Sequence, residues 1–371
     1  MIMQSKHNMA QRLRVQSQLV WELAADSGDQ IPFRVIELLT AVQTHGSLLT
    51  AAKACDTSYR HAWGLVQQAQ DALGVPLLEM ARGKGARLTP LGEKLVWANR
   101  RIKARIGPLL ETLASEIETE LRHALQAVGA PLRLHASHGF AVEMLVRTLS
   151  AAGMAIDLKY RSSQDAVAAL HAGECDLAGF HVPLGEFQRM IAASYAEHFD
   201  RHEQRVIHIV TRRQGLMVVR GNPRKIYEIA DLGRPEVRFV NRQPGSGTRL
   251  LLDKLLQKAG VSPLQVHGYE QAELTHAAVA AFIASGMADV GLGIETAARR
   301  FDLDFLPLQT ERYFFLVRRA TLEHPALQTM IAALQSAEFR HDIGQLPGYD
   351  GAQSGTILSV DEAFPELAAP Y

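Results

Sequence analysis

Apolar residues from Phe33 to Leu39 fall at helical spacing, and Ala62, Leu65, Val66 and Ala69 resume it further on. Between these runs Gly46 can end one helix and Ser47 can cap the next. Ala51 and Ala52 are small where two helices would cross, Cys55-Asp56-Thr57 makes a turn, and Ser58 can cap a further helix beyond it. Arg82, Lys84 and Arg87 then lie among small residues ahead of Leu88-Thr89-Pro90. The pattern predicts a helix, a short helix, a turn, a second capped helix and a basic hairpin. Downstream, Leu91, Leu95, Ile102, Ile106, Leu109, Leu113, Ile117, Leu121 and Leu125 recur every three to four residues, apart from one longer step. They predict a long helix whose stripe needs a partner, either a second protomer or its own domain. Gly107-Pro108 is expected to kink or break it. Residues 14–23 alternate in part and suggest one more strand.

From Pro131 the period changes. Residues 132–136, 156–160 and 176–180 read as strands, and a helix runs from the Ser162 loop to about His171, where Gly173 ends it. The pattern returns with strands at 206–211, 215–220, 237–240 and 289–293. Helices are expected up to Ala259, over 275–285 and over 322–339, with a late strand at 312–318. Such alternation argues for mainly parallel sheets covered by helices. Two α/β units joined by crossing strands predict a bilobed body. The division expected is an N-terminal arm over 1–30, a mainly α module over 31–90, a linker helix over 91–128 and the α/β body over 131–371.

A chain of 371 residues, 47% hydrophobic and 21% charged, is an ordinary globular protein long enough for two or three domains. No run has the length of a signal peptide core or a membrane span, and no membrane role is expected. The two cysteines, Cys55 and Cys175, fall in different predicted domains, so a reducing, cytoplasmic setting is expected. Charge changes the picture. The whole chain sums to zero, yet Ile31 to Ile106 holds 11 Lys and Arg against five Asp and Glu, leaving the remainder at −6. A basic module on an acidic body suits attraction to a phosphate backbone. Taken with the order of turn, caps and hairpin, the layout is that of a winged helix-turn-helix for double-stranded DNA. Tyr59, Arg60 and His61 would occupy the first turn of the reading helix, with Ser47, Ser58, Arg82, Lys84 and Arg87 as further DNA contacts.

The segment Gly46-Ser47-Leu48…Ala51-Ala52, followed by Ser58-Tyr59-Arg60-His61-Ala62-Trp63, resembles the DNA-binding domain of ModE-type regulators and, more loosely, of LysR-type regulators. Leu88-Thr89-Pro90-Leu91-Gly92-Glu93 is shared with both. The body resembles type II periplasmic binding proteins through two phrases, Ala169-Leu170-His171-Ala172-Gly173-Glu174-Cys175-Asp176 and Ala284-Ser285-Gly286-Met287-Ala288-Asp289. Both have the helix-Gly-acid-strand form of LysR effector domains and molybdate-binding proteins. The resemblance implies a one-component transcriptional regulator, a homodimer or homotetramer, with a small oxyanion such as molybdate or tungstate as effector. Target genes would be those of molybdenum enzymes such as formate dehydrogenases. ModE itself carries small β-barrels at its C-terminal end, a pattern missing here, so its effector does not transfer automatically. A LysR-like sensor of a small carboxylate such as formate, and a DNA binder without effector, stay open.

Candidate effector chemistry lies in strand-to-helix loops. Gly245-Ser246-Gly247-Thr248 follows a strand and opens a helix, where free N–H groups and the helix dipole favour an anion. Arg242 and Arg249 flank it, and Ser137-His138 and Ser162-Ser163 occupy the corresponding loops of the other lobe. His181, Thr275 and His276 are further candidates. Singly, each Ser or Thr reads as a plain N-cap, whereas for Gly245 to Arg249 the anion-binding reading is preferred. No Lys follows the second Gly, so this is not a nucleotide P-loop, and no Gly-x-Ser-x-Gly elbow marks a hydrolase. Glu270 and Glu273 lack an identifiable catalytic partner, and fifteen scattered histidines offer no metal-ligand spacing. No enzyme activity, metal or cofactor is expected.

Overall fold

The computed structural model describes residues 14–24, 28, 30–81, 85–124 and 131–367. Arg82, Lys84 and Leu125 lie outside them. Contacts divide the chain into two compact units, Gln18–Gly107 on one hand and the residues from Pro108 onward, with those up to Ser17, on the other.

In the first unit β1 (Leu23–Ala24) pairs with β2 (Gln30–Ile31), so the strand suggested over 14–23 contracts to a two-residue bridge. Then come α1 (Phe33–His45), α2 (Leu48–Ala54), α3 (Tyr59–Leu73) and the hairpin β3 (Leu78–Ala81) and β4 (Gly85–Leu88). The caps form as expected. Gly46 ends α1 in the left-handed region, Ser47 accepts from the Thr50 N–H, and Ser58 accepts from the His61 N–H. Val35, Leu39, Ala51, Ala62 and Val66 are buried together. Gly85 has φ +82°, and any Cβ there would strike the Gly46 carbonyl, to which the Ala86 N–H donates at 2.9 Å. The wing is thereby tied to the turn that opens the helix-turn-helix.

Helix α4 (Pro90–Ala124) continues through Gly107-Pro108, where a kink or break was expected. Its later half is pinned along β6 (Ile156–Tyr160). Thr112 Oγ1 accepts from the Tyr160 N–H at 3.2 Å, and Ser115 Oγ accepts from the Leu158 N–H at 2.7 Å. Because β6 ends the main sheet, these hydroxyls supply partners to an edge strand. The other face stays open: Ile106, Leu113, Ile117 and Leu121 are 37–46% exposed.

The body continues with β5 (Leu132–Ala136), α5 (Phe140–Ala151), α6 (Ser163–Ala172), β7 (Leu177–Pro183), α7 (Gln188–Ala193) and β8 (Gln204–Val218). Next are β9 (Phe239–Arg242), α8 (Gly247–Ala259), β10 (Ala272–Glu273), α9 (His276–Ala284), β11 (Val290–Ile294), α10 (Glu295–Arg300) and β12 (Asp304–Arg318). The last elements are α11 (Pro325–Gln335), α12 (Ala337–Gly344), β13 (Tyr349–Asp350), β14 (Ile357–Ser359) and α13 (Val360–Ala363). The strand order is β10-β9-β11-β8-β12-β7-β5-β6, with β13 and β14 also paired to β8. β5, β6 and β7 form one parallel lobe, and β9, β10 and β11 the other. The antiparallel pair β8 and β12 passes between them.

Three expectations change. The strands expected at 206–211 and 215–220 are a single β8, because buried Arg212 and Gln214 interrupt its apolar pattern without ending it. β12 starts at Asp304 rather than 312; a register shift at Pro307 disguises its first half. The helix expected over 322–339 is divided at Ser336, which caps α12 by accepting from the Phe339 N–H.

Candidate functional site

In the first unit the outer side of α3 carries Tyr59, Arg60, His61 and Trp63, all exposed, while Ala62, Val66 and Ala69 face its core. Arg87 is exposed on β4 opposite Glu79. Ser47 and Ser58 hold the N-termini of α2 and α3 through their side chains. Arg60, His61 and Arg87 are all exposed.

In the body, β8 and β12 carry Arg212 and Glu311 to directly opposed positions in the ladder. Arg212 Nε donates to Glu311 Oε1 at 2.6 Å, and both side chains are almost fully buried. Arg212 Nη1 donates to the Tyr349 hydroxyl, and Nη2 to His181 Nε2 at 2.7 Å and His276 Nε2 at 3.4 Å. A guanidinium only donates, so His181 accepts at Nε2 and carries its proton on Nδ1, toward Ser163 Oγ at 3.3 Å. Burial, then the charge of Arg212, holds His181 well below its usual range, and the ring stays neutral, stacked on Tyr313 at 4.2 Å. Burial, then the charges of Arg242 and Arg212, does the same to His276. Sequence reading missed Arg212, Glu311, Tyr313 and Tyr349. The available signal was the polar run Thr211 to Gln214 between two apolar stretches.

Arg242 at the end of β9 is different. It is 3% exposed, and Nη2 donates to the Leu274 carbonyl at 2.8 Å, while its buried Nε has no hydrogen-bond partner. Among the described residues no carboxylate forms an ion pair with it. Burial, then the neighbouring Arg212, presses its guanidinium down to about 9. It borders a cavity of about 160 Å³ together with Ser137, His138, Tyr160 and Thr275. Burial first, then Arg242, lowers His138 to about 4, so this ring is neutral too. A buried cation without a directly paired counter-charge is costly, and Glu311 offsets only part of that cost for Arg242. An anion in the cavity would remove that cost.

The other expected residues take several places. Ser162, Ser246 and Thr275 are N-caps, accepting from the N–H groups of Asp165, Arg249 and Ala278. Thr248 Oγ1 accepts from Gln214 Nε2 at 3.3 Å. Gly245 and Gly247 are where the lobes meet: a Cβ on Gly245 would lie 3.0 Å from Ser162 Oγ, and one on Gly247 would lie 3.2 Å from His181 Cβ. The start of α8 is thus covered by the opposite lobe. Arg249 does not join the cleft. It lies over the Tyr269 ring at 3.8 Å and pairs with Asp253 at 3.4 Å, because helical spacing turns it away from Thr248. Among the described residues no cluster of three His, Cys, Asp or Glu is placed to hold a metal ion, and no helix is long and apolar enough to cross a membrane.

Comparison with known proteins agrees with both regions. The family described as PBP superfamily domain matches residues 146–335, about half of the chain, and "Bacterial regulatory helix-turn-helix protein, lysR family" matches 33–93. The chain is similar to the uncharacterized protein YvgK of Bacillus subtilis, 32% identical over 54% of this chain and 64% of that one. It is also similar to the molybdenum-pterin-binding protein MopB of Rhodobacter capsulatus, 29% identical over 37% of this chain and 52% of that one. Among solved structures, the LysR family transcriptional regulator CbnR is 19% identical, with 81% of this chain and 98% of that one covered and a TM-score of 0.37. An overlap this low adds nothing to the family assignment. The chain belongs to the PBP superfamily through its C-terminal body and carries a lysR-family helix-turn-helix ahead of it, the architecture of a LysR-type transcriptional regulator with a PBP-like effector domain.

Proposed function

We propose that this chain binds double-stranded DNA through α3 and the wing, and that a small anion held at Arg242 alters that binding. Arg242 carries the reading: a buried guanidinium whose Nε is unsatisfied, beside a cavity, next to an Arg212 whose charge Glu311 already neutralises. The name of MopB supports molybdate or tungstate as first candidates, with molybdenum-enzyme genes, formate dehydrogenases among them, as targets. The second reading is a small carboxylate, favoured by Leu109 and Leu274 in the cavity wall. The exposed stripe of α4 supports a homodimer or homotetramer that places two reading helices on paired half-sites. The chain then acts as a switch, without catalysis or a resident cofactor. Thermal shift and calorimetry on the full chain with molybdate, tungstate, sulfate, formate and other small carboxylates test it, followed by operator binding with and without the active anion. If no anion shifts the melting transition, the chain is a DNA binder without an anionic effector.

A further inference from the structure

We infer that the linker helix α4 is itself a wall of the anion site, so that the occupant presses on the segment joining the two units. This rests on reading the cavity at Arg242 as an anion site. The cavity has three sides: His138 and Tyr160 from one lobe, Arg242 and Leu274 from the other, and Leu109 and Thr112 from α4. The α4 side is pinned in place. Thr112 Oγ1 accepts from the Tyr160 N–H and donates to the Pro108 carbonyl at 3.0 Å, and the Tyr160 hydroxyl donates to Glu111 at 2.8 Å. The Tyr160 ring in turn meets His138 at 5.0 Å.

The position along the helix matters. The boundary of the two units falls between Gly107 and Pro108, immediately before Leu109. Pro108 has no N–H to give to the helical ladder, and glycine resists bending least, so this is where α4 yields most easily. An occupant of the cavity therefore acts on the linker directly, in addition to any effect of drawing the lobes together. It does so as a switch if it binds one setting of this joint more tightly than another.

The same walls define the occupant. Arg242 takes a negative end, and Leu109 and Leu274 take an apolar side. The volume of about 160 Å³ is small beside the roughly 300–1,000 Å³ of pockets for drug-sized ligands and suits a body of a few carbons. Of the two ligand readings above, these walls favour the second, a small carboxylate with a short hydrocarbon body.

Calorimetry on the full chain with formate, butyrate and molybdate tests this, alongside hydrogen exchange with and without butyrate. Butyrate should bind more tightly than formate, by about fourfold for each methylene that becomes buried. Leu109→Ala should narrow that ratio by threefold or more. Leu113→Ala, on the exposed stripe of the same helix but outside the cavity, should leave the ratio unchanged, which separates ligand contact from assembly. Butyrate should slow exchange across residues 107–112. Equal binding of formate and butyrate, binding of molybdate alone, or an unchanged ratio in Leu109→Ala with unslowed exchange would overturn the inference and leave the anion site standing. Failure of all three probes on a folded protein would remove the anion site, and the inference with it.

Discussion

The chain has two positive regions, and they differ in what surrounds the charge. On α3 and β4, Arg60 and Arg87 stand in water. Such a charge needs no protein partner, and its meaning comes from pattern: a capped helix, a wing and a net basic unit. In the cleft, Arg212 and Arg242 are both buried, yet Glu311 accompanies one and, among the described residues, no carboxylate pairs with the other. There the meaning comes from energy, because an unpaired buried charge stands at a deficit a ligand can remove. Exposed charge marks a surface for a polyanion, and buried uncompensated charge marks a site for a small one.

The sharpest break in that comparison is Glu311→Gln. It would strand Arg212 in the state Arg242 already occupies, and should destabilise the body by about 3–5 kcal/mol in urea unfolding. A loss under about 1 kcal/mol would mean the pair is dispensable. Leu113→Asp with Leu121→Asp should convert an oligomer to a monomer and lower operator affinity about a hundredfold, since linked half-sites gain from effective concentration. Light scattering showing a wild-type monomer at micromolar concentration would contradict this. Arg242→Met should do the reverse of Glu311→Gln: stability unchanged or raised, with anion affinity reduced about 10- to 100-fold for a lost charged hydrogen bond. A marked fall in melting temperature would recast Arg242 as structural.

Arg60→Ala should cost about 1–3 kcal/mol at one or two base positions if it meets guanine, whereas Arg87→Ala should weaken all sequences alike and flatten the salt slope by about one. Gel shifts over a mutated operator series at two salt concentrations distinguish the two. Stability also depends on pH. Burial holds His135, His138 and His208 at about 4 when folded, against an ordinary value of 6.5. Between these values the unfolded chain binds protons the folded one refuses, so stability falls as pH drops from 6.5 toward 4. Anion affinity should stay flat from pH 8 to 6, because His138 remains neutral; a rise on acidification would place a protonating histidine in the site.

The first unit was nearly all legible in the sequence. Gly46, Ser47 and Ser58 act on residues within four positions of themselves, and the apolar spacing of α3 follows from its period. The body was legible as alternating strands and helices, with limits where function intrudes. Arg212 and Gln214 split a continuous β8 into two apparent strands, and Pro307 concealed half of β12. Within the candidate anion segment, Ser246 was readable as a cap, but the turning of Arg249 toward Tyr269 and Asp253 was not.

Local chemistry therefore determined the capped helices, the wing, the charge asymmetry and the alternating body, because each depends on neighbours along the chain. Tertiary structure alone decided which arginine is neutralised. Arg212 and Glu311 are 99 residues apart and meet only because β8 and β12 lie side by side in the sheet. It also decided that α4 borders the cavity, since Leu109 and Thr112 share its wall with Arg242 only after β6, β9 and the helix are assembled. Compensation of charge and enclosure of volume are properties of positions in space, and no spacing along the chain encodes them.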